Sequence, residues 1–460
     1  MRERDSVFRF LEMKKVRKDT EETTKKPFYS DIVEYLYASL PVFQQSGGAA
    51  YKPGLQTIGE LDNFYGHPHR RYRTIHVAGT NGKGSVSHML AAILQGAGYK
   101  TGLFTSPHLL DFRERIRING QMITEDEVVE FVTRSRAMFD KVQPSFFEMT
   151  TAMAFDHFAR HAVDIAVIET GMGGRLDATN IIRPIMSVIT NIDLEHTQFL
   201  GNTPISIATE KAGIIKPGVP VVIGETQPGP ALVFEDKARA EGCHIVFADQ
   251  KARVSRSHIT AKGNAIYVEQ YGKESAIPII IDLYGDYQHK NIVTALVALQ
   301  CMRSHADVKI PSETILPSLV HAAKNTGLRG RWEKLREKPL TVCDTAHNAA
   351  GWALARRQIE QCTYQTLHMV LGFVNDKDIS AMLELMPRNA NYYFTKAPIP
   401  RAIDEKELMK TAAKYGLKGN AYPNVAAALQ NALQHASEDD MIFIGGSTFV
   451  VAEAFKVGMS

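Results

Sequence analysis

Short apolar runs rich in β-branched residues alternate along the chain with amphipathic segments of helical period. The apolar residues within a run follow one another without polar alternation, which is typical of strands covered on both faces. Such strands form parallel sheets with helices packed on either side, so the pattern predicts an α/β fold. The clearest runs are Thr74–Ala78, Ile165–Ile168, Ser187–Ile192, Val219–Ile223, Leu340–Cys343, Leu367–Phe373, Tyr392–Thr395 and Met441–Ile444.

The length of the chain indicates more than one domain, because domains usually hold about 100–200 residues and this chain has 460. Periodicity is lost near Ala323–Gly330, before a new strand series begins. We therefore predict an N-terminal extension over residues 1–27, which we expect to be flexible, a first domain over 28–326 and a smaller second domain over 327–460. Weak alternation over Val254–Pro278 predicts an antiparallel excursion within the first domain.

Composition argues against several classes of protein. The 53 basic and 50 acidic residues nearly balance, which does not indicate a nucleic-acid surface. The four cysteines lack metal-finger spacing and are expected to be reduced thiols. The sequence contains neither a signal-peptide core nor an apolar run of about 18 residues. We expect a cytoplasmic monomer that acts on small molecules, without a membrane or nucleic-acid partner.

A glycine loop lies between the run Thr74–Ala78 and the amphipathic segment Ser85–Gln95. Its glycines let backbone N–H groups converge, the helix N-terminus adds partial positive charge, and Lys83 supplies a compact cation. The loop departs from the generic GxxxxGK[ST] pattern, and a Gly/Asn turn with a solvated lysine is the competing interpretation. We predict that it binds the phosphates of ATP. The loop residues are Gly79, Thr80, Asn81, Gly82, Lys83, Gly84 and Ser85.

Glu169 comes directly after the run Ile165–Ile168. In open α/β sheets, ligands bind at the carboxyl ends of the strands. A carboxylate there, beside a phosphate loop, suits Mg²⁺, which prefers oxygen ligands. We therefore expect Glu169 to hold Mg²⁺, with a capping or salt-bridged glutamate as the alternative.

Longer motifs extend from about Thr57 to Val450. They are GTNGKGS at Gly79–Ser85, FTSPHLLDFRERIRING at Phe104–Gly120, IETGMGGRLDATN at Ile168–Asn180, NIDLEHTQFLG at Asn191–Gly201, EKAGIIKPG at Glu210–Gly218, GRWEKL at Gly330–Leu335 and DTAHN at Asp344–Asn348. In this order they closely resemble the folylpolyglutamate synthase and dihydrofolate synthase family. The resemblance implies a P-loop, Mur-ligase-like ATPase domain with a predominantly parallel sheet, followed by a smaller Rossmann-like α/β domain.

The resemblance also implies an activity: ATP-dependent ligation of L-glutamate to dihydropteroate, to the glutamate tail of folates, or to both. An acyl phosphate would be the intermediate, and ADP and phosphate the products. We favour a bifunctional enzyme. The alternatives are a Mur-type ligase acting on a cell-wall precursor and a non-catalytic nucleotide-binding regulator. The folate-type motifs argue against the first, and retention of Lys83, Glu169, His196 and Lys211 argues against the second.

The resemblance assigns two Mg²⁺ sites. Ser106 joins Glu169 at the first ion, and His196 lies at the second, although imidazole is not a preferred ligand of magnesium. Lys211 matches a lysine that is carbamylated in family members and supplies an oxygen ligand. An unmodified ammonium could not bind a cation. Together with His347, the residues expected to be catalytic are Lys83, Glu169, His196 and Lys211.

Matched residues on the far side of the nucleotide are Asn291, Arg331, which would reach the phosphates with its planar fork of donors, and Asp344 at the ribose. Asn291 could instead cap a helix. At the acceptor, Phe147 and Thr150 would line a pterin pocket or belong to the core.

Other substrate contacts implied by the resemblance are Arg175 and Asp177 near the acceptor, and His347 and Ser447 at glutamate. The family usually reads DGAHNP where this chain has DTAHNA. The changed loop residues alter its backbone freedom, so the glutamate side is where the local geometry departs from the family pattern.

Overall fold

The computed structural model describes residues 28–39, 54–375 and 379–458, so the predicted extension over residues 1–27 lies outside the described residues. None of the helices in these ranges combines the length and apolar character that a membrane crossing requires. The α-helices are α1 (Tyr29–Ser39), α2 (Gln56–Phe64), α3 (Lys83–Gly96), α4 (Glu125–Val142), α5 (Phe146–Arg160), α6 (Thr197–Leu200), α7 (Pro204–Ala212), α8 (Pro230–Ala240), α9 (Gln288–His305), α10 (Ser312–Val320), α11 (Ala322–Thr326), α12 (Ala349–Gln361), α13 (Ser380–Glu384), α14 (Glu405–Ala413), α15 (Val425–His435) and α16 (Thr448–Lys456).

Within the described ranges the strands form three sheets, two of them large and mostly parallel. The strands are β1 (Arg73–Ala78), β2 (Thr101–Phe104), β3 (Ile116–Ile118), β4 (Gln121–Met122), β5 (Ile165–Glu169), β6 (Met186–Ile189), β7 (Val221–Ile223), β8 (Ile245–Phe247), β9 (Ala252–Thr260), β10 (Gly263–Gln270), β11 (Lys273–Glu274), β12 (Ile279–Ile281), β13 (Glu333–Arg336), β14 (Leu340–Cys343), β15 (Leu367–Leu371), β16 (Asn391–Phe394), β17 (Gly419–Ala421) and β18 (Met441–Gly445).

The first sheet has eight strands in the order β4-β3-β2-β5-β1-β6-β7-β8. Neighbouring strands are parallel except at one edge, where β3 runs antiparallel to both β2 and β4. β1 lies between β5 and β6 and is parallel to both. The carboxyl ends of these three strands therefore lie side by side. The continuous apolar runs are buried as predicted, and α3 packs its apolar stripe against β1 and β5. The sequence pattern missed β2, which is only four residues long.

The predicted antiparallel excursion is confirmed. β10 pairs with β9, β11 and β12, all antiparallel. Ile266 and Ile281 of this small sheet are buried in the same cluster as Ile292 of α9. The excursion therefore covers α9, the helix whose first turn faces the cavity described below.

The second large sheet has six strands in the order β13-β14-β18-β15-β16-β17, and only β13 runs antiparallel to its neighbour. Trp352 of α12 is fully buried against this sheet together with Phe443. Because β14 and β18 are adjacent and parallel, the residues after Cys343 and after Gly445 emerge side by side. The α/β class and the two-domain organisation are confirmed, while the boundary between residues 326 and 327 stays a prediction.

Among the helices of the first domain that begin with reciprocal side-chain caps, α4 and α5 lie next to each other in the chain. Thr124 and Glu127 form a capping box at the start of α4, and Ser145 and Glu148 form one at the start of α5. In each box the hydroxyl accepts from a backbone N–H, and the carboxylate accepts from the N–H of the capping residue. The caps define where both helices start, and α5 consequently begins at Phe146, beside the cavity.

Candidate active site

The glycine loop connects β1 directly to α3. Gly79 and Gly82 have φ of 143° and 86°, a region that side chains rarely adopt. A Cβ on Gly82 would lie 2.2 Å from Oδ1 of Asn291. The ammonium of Lys83 folds back over the loop and donates to the carbonyls of Gly79 and Thr80, both at 3.0 Å. Strand, glycine loop and helix therefore follow one another as predicted, while phosphate binding by the loop stays a prediction.

The segment after β6 holds this loop in place. The N–H of Thr80 donates to the carbonyl of Asn191, and the N–H of Asn81 donates to the Asn191 side chain, both at 2.9 Å. The hydroxyl of Thr190 donates to the carbonyl of Asn81 at 2.6 Å. The predicted run Ser187–Ile192 therefore ends as a strand at Ile189, because the next two residues support the loop.

Glu169 ends β5 and is only 3% exposed. It accepts a hydrogen bond from the N–H of Ser106 at 3.2 Å. Burial raises the pKa of Glu169 to about 7, although Lys83, Arg331 and Arg115 act in the opposite direction. The carboxylate and the Ser106 side chain face the same cavity. These are oxygen donors of the kind that hard divalent cations prefer.

Lys211 lies on α7, behind the glycine loop rather than on the cavity wall. Its Nζ is buried and donates to the carbonyl of Gly79 at 2.6 Å. Burial, followed by the nearby charge of Lys83, lowers the pKa of Lys211 to about 7. His196 caps α6 with a left-handed φ of 52° and lines the cavity.

Asp344 follows β14 at the corresponding strand end of the second domain. Its buried carboxylate accepts from the hydroxyl of Tyr287 at 2.5 Å and from the N–H groups of Trp332 and Ala346 at 2.8 and 2.7 Å. Burial raises its pKa. Tyr287 belongs to the first domain, so Asp344 also links the two domains. The sequence offered no reason to single out Tyr287.

Two side-chain contacts cross between the domains at the glycine loop. Nε2 of His347 lies 2.9 Å from Oε1 of Glu195, while Nδ1 of His347 donates to the carbonyl of Thr345 at 2.9 Å. The amide of Asn348 donates to Oδ1 of Asn81 at 3.0 Å. The DTAHN segment is thereby brought against the first domain. Glu195, which positions His347, was not predicted.

Arg331, which lies just before β13, and Asn291 of α9 both lie beside the glycine loop. The guanidinium of Arg331 donates to the hydroxyl of Thr345, and it lies 3.9 Å from where a Cβ on Gly84 would be. Asn291 donates to Gln288 at 2.8 Å and lies against Gly82. Both predicted nucleotide contacts therefore lie beside the start of α3.

Both domains line one cavity of about 590 Å³. Its wall includes most of the residues that the sequence singled out. They are Thr80, Asn81, Gly82, Lys83, Gly84, Ser85, Ser106, Phe147, Glu169, Asp177, His196, Asn291, Arg331, Asp344, His347 and Ser447. Residues from both ends of the sequence thus converge on one site.

Comparisons with known proteins agree with this geometry. The Mur ligase middle domain matches residues 77–299, and the Mur ligase glutamate ligase domain matches residues 330–448. The chain is 31% identical to the dihydrofolate synthase/folylpolyglutamate synthase of Bacillus subtilis, covering 88% of this chain and 95% of that protein. The chain belongs to the folylpolyglutamate synthase/dihydrofolate synthase family.

Other relatives include longer proteins and solved structures. A probable bifunctional folylpolyglutamate synthase/dihydropteroate synthase of Haloferax volcanii is 34% identical over 93% of this chain, which spans 50% of that protein. The folylpolyglutamate synthase structure from Thermotoga maritima has a TM-score of 0.77 at 32% identity, covering 93% of this chain and 96% of that one. The Mycobacterium tuberculosis enzyme complexed with ADP has a TM-score of 0.83 at 28% identity, covering 93% and 98%.

Two expected substrate contacts of this family member do not lie on the cavity wall. Thr150 is fully buried, and its hydroxyl donates to the carbonyl of Phe146 at 2.6 Å, one turn earlier in α5. Arg175 is more than half exposed and pairs with Glu210 at 2.7 Å. Thr150 therefore takes the core position that the sequence left as its alternative, while a contact between Arg175 and the acceptor stays a prediction. Thr150 lies on the face of α5 that packs into the core. Arg175 forms an ion pair with Glu210 of α7.

Three further expected substrate contacts do face the cavity. Asp177 accepts from the N–H groups of Gly171 and Met172, both at 2.9 Å, and so also shapes its own loop. The ring of Phe147 packs against Gly171, where a Cβ would lie 2.5 Å from the ring. Ser447 caps α16 by accepting from a backbone N–H. Their roles toward substrate stay predictions.

Proposed function

We propose that this chain joins L-glutamate to dihydropteroate and to the glutamate tail of folates, using ATP and releasing ADP and phosphate. The observation that carries the proposal is the single cavity in which the phosphate loop faces the DTAHN segment of the second domain. A nucleotide on the loop and an amino acid at His347 would then lie on opposite sides of one acceptor carboxylate. The likeness to dihydrofolate synthase/folylpolyglutamate synthases supports the choice of substrates.

ATP and a divalent cation are the expected cofactors. Relatives have been solved with ADP, and the Yersinia pestis enzyme with AMPPNP and Mn ion. Glu169 and Ser106 fit such a cation because both present oxygen atoms to the cavity. Bound Mg²⁺ would neutralise phosphate charge that otherwise repels the attacking carboxylate.

We assign a second Mg²⁺ to His196 and a carbamylated Lys211. The lysine is buried next to the phosphate loop, and its neutral amine could add CO₂ with release of one proton. Carbamylation would convert this neutral amine into an anion that offers oxygen ligands. Incorporation of ¹³CO₂ at Lys211, observed by ¹³C NMR and absent in Lys211→Met, is the expected result. Identical spectra for the two proteins would contradict the assignment.

The chain's own residues account for the two chemical stages. Lys83 and Arg331 place cations beside the phosphate loop, where charge builds up as the acceptor carboxylate takes the γ-phosphoryl group. The glutamate amine then attacks the acyl phosphate, the C–N bond forms, and phosphate leaves. Because the cavity is walled by both domains, the acyl phosphate is shielded from water. His347 contacts Glu195 and Thr345, and we infer that it orients glutamate.

The decisive experiment measures glutamate-dependent ADP release with dihydropteroate and with tetrahydrofolate as separate acceptors. We expect both acceptors to support turnover, and Lys83→Ala to support neither. Turnover with tetrahydrofolate alone would reduce the proposal to a folylpolyglutamate synthase. Turnover only with a cell-wall precursor, or with no acceptor at all, would overturn it in favour of a Mur-type ligase or a nucleotide-binding regulator.

A further inference from the structure

A second cluster of metal-ligating side chains lies in the first domain, outside the cavity. Glu127 is in the first turn of α4, His157 is in the last turn of α5, and His161 directly follows α5. His157 and His161 are four residues apart, so their side chains lie on the same face of the helix. That face is turned toward the start of α4, where Glu127 projects.

The three side chains already converge. Oε1 of Glu127 lies 2.5 Å from Nε2 of His161 and 3.5 Å from Nδ1 of His157. The two imidazole centroids are 4.4 Å apart with planes inclined by 54°. Zinc binds imidazole nitrogen and carboxylate oxygen at about 2.0–2.2 Å. Ligand atoms around such an ion are roughly 3–3.5 Å apart, so only small rotations are needed.

The carboxylate of Glu127 is also oriented by its surroundings. Its Oε2 accepts from the N–H and the hydroxyl of Thr124 at 3.0 and 2.7 Å. This capping box leaves Oε1 directed at the two histidines. Outer hydrogen bonds that orient a ligand in this way are a general feature of protein metal sites.

The three side chains differ in burial, since His157 is 7% exposed and Glu127 is 25% exposed. Burial lowers the pKa of His157 to about 4, so its imidazole is neutral. Burial acts to raise the pKa of Glu127, but hydrogen bonds from Thr124 and His161 outweigh it and lower the value to about 2. The third side chain, His161, is 41% exposed and gives solvent access to the cluster.

We propose that Glu127, His157 and His161 bind a zinc-type transition-metal ion, with the fourth position open to water. Two nitrogen ligands and one carboxylate favour such an ion over Mg²⁺. The ion would tie α4 to the end of α5 opposite Phe146 and Phe147, which line the catalytic cavity. It would therefore brace one wall of the active site from outside.

A second histidine cluster provides a matched control. Cys301, His305 and His244 also lie close together. The rings of His244 and His305 are stacked, with centroids 4.5 Å apart and planes inclined by only 18°. Imidazole lone pairs lie in the ring plane, so stacked parallel rings do not direct them at one ion. Nδ1 of His305 also donates to the carbonyl of Cys301 at 3.1 Å.

The test uses the full chain, stripped of metal and free of nucleotide, titrated with Zn²⁺ against a chromogenic chelator. Glu169→Gln removes the predicted catalytic metal ligand from every protein compared. In this background we expect one tightly bound Zn²⁺. Its affinity should fall by at least about 100-fold in His161→Gln and should stay unchanged in His305→Gln. Equal affinities in His161→Gln and its parent, or no tight Zn²⁺ in the parent, would overturn the proposal.

Two further readouts separate this site from a folding defect and from catalysis. Co²⁺ should give the visible absorption of a low-symmetry nitrogen and oxygen site in the parent but not in His161→Gln. Zn²⁺ should raise the melting temperature of the parent and of His305→Gln, but not of His161→Gln. A rise of equal size in His161→Gln would contradict the site. Glutamate ligation by His161→Gln in an otherwise unaltered chain tests the proposed function independently.

Discussion

The two walls of the cavity are built in different ways. On the first-domain wall, Glu169 is 3% exposed, the glycine loop is hydrogen-bonded on both sides, and the buried Lys211 supports it from behind. On the second-domain wall, the side chain of His347 is 37% exposed and reaches across to Glu195. The first wall is therefore the more buried at these residues, which fits our proposal that it binds the nucleotide and that His347 contacts the amino acid.

The physical reason lies in where the residues sit in their sheets. Glu169 ends β5 and the glycine loop follows β1, and these are the two central strands of the mostly parallel eight-stranded sheet. The DTAHN segment lies at the domain boundary and is held to the first domain by side-chain hydrogen bonds. Substitutions on the first wall should therefore affect phosphate binding and stability, whereas those on the second should affect glutamate selectively.

The largest expected effect comes from removing the cation of the first wall. Lys83→Ala should lower kcat/KM for ATP by at least about 10³-fold, because the ammonium that lies over the loop is lost. Initial rates of ADP release measure this. Lys251→Ala, an exposed lysine, is the control and should behave as the parent does. A loss below about tenfold would show that the first wall is not the phosphate site.

Burial of the Glu169 carboxyl should make the free energy of unfolding depend on pH. The raised pKa of Glu169 means that the folded state holds its proton more tightly than the unfolded state. The resulting stabilisation is complete below about pH 4.5 and is lost as the pH rises through 7. In EDTA, the parent should therefore lose up to about 3 kcal/mol of unfolding free energy relative to Glu169→Gln across this window.

Urea unfolding at several pH values measures that difference. Glu313→Gln, on the surface of the first domain, should leave the pH dependence of the parent unchanged. Parallel curves for Glu169→Gln and the parent would mean that this carboxylate is hydrated, and the contrast between the two walls would lose its main support.

A selective effect is expected on the second wall. His347→Ala should raise KM for glutamate by about 10- to 100-fold, because a hydrogen bond to a charged group is lost. KM for ATP should stay within about twofold. Glu195→Gln should shift KM for glutamate in the same direction by less, since it only positions His347. Equal changes in both KM values would place His347 at the nucleotide instead.

The smallest expected effect distinguishes helix capping from glutamate binding at Ser447. Ser447 and Asn424 each cap a helix of the second domain, so replacing either by Ala should cost about 1 kcal/mol of unfolding free energy. Only Ser447 lines the cavity, and only Ser447→Ala should raise KM for glutamate. Steady-state kinetics and chemical denaturation of both variants measure this. The same KM in both would leave Ser447 with a structural role alone.

Much of the first wall could be predicted because its signals are local. The strand, glycine loop and helix around Lys83 are contiguous, and Glu169 is marked by its place directly after a buried run. Residues such as Asn191, Tyr287 and Glu195 carried no such signal. Their importance arises from contacts with segments more than 50 residues away in the chain.

The sequence by itself determined the α/β class, the phosphate loop, the antiparallel excursion and, through its motifs, the family. These depend on residue types at short spacings, which periodicity and loop chemistry reveal. Only the tertiary structure decided that Thr150 points into the core, that Arg175 pairs outward with Glu210, and that His347 meets Glu195. Such outcomes depend on which elements pack together, because side-chain direction and long-range pairing are settled only when the sheets and helices assemble.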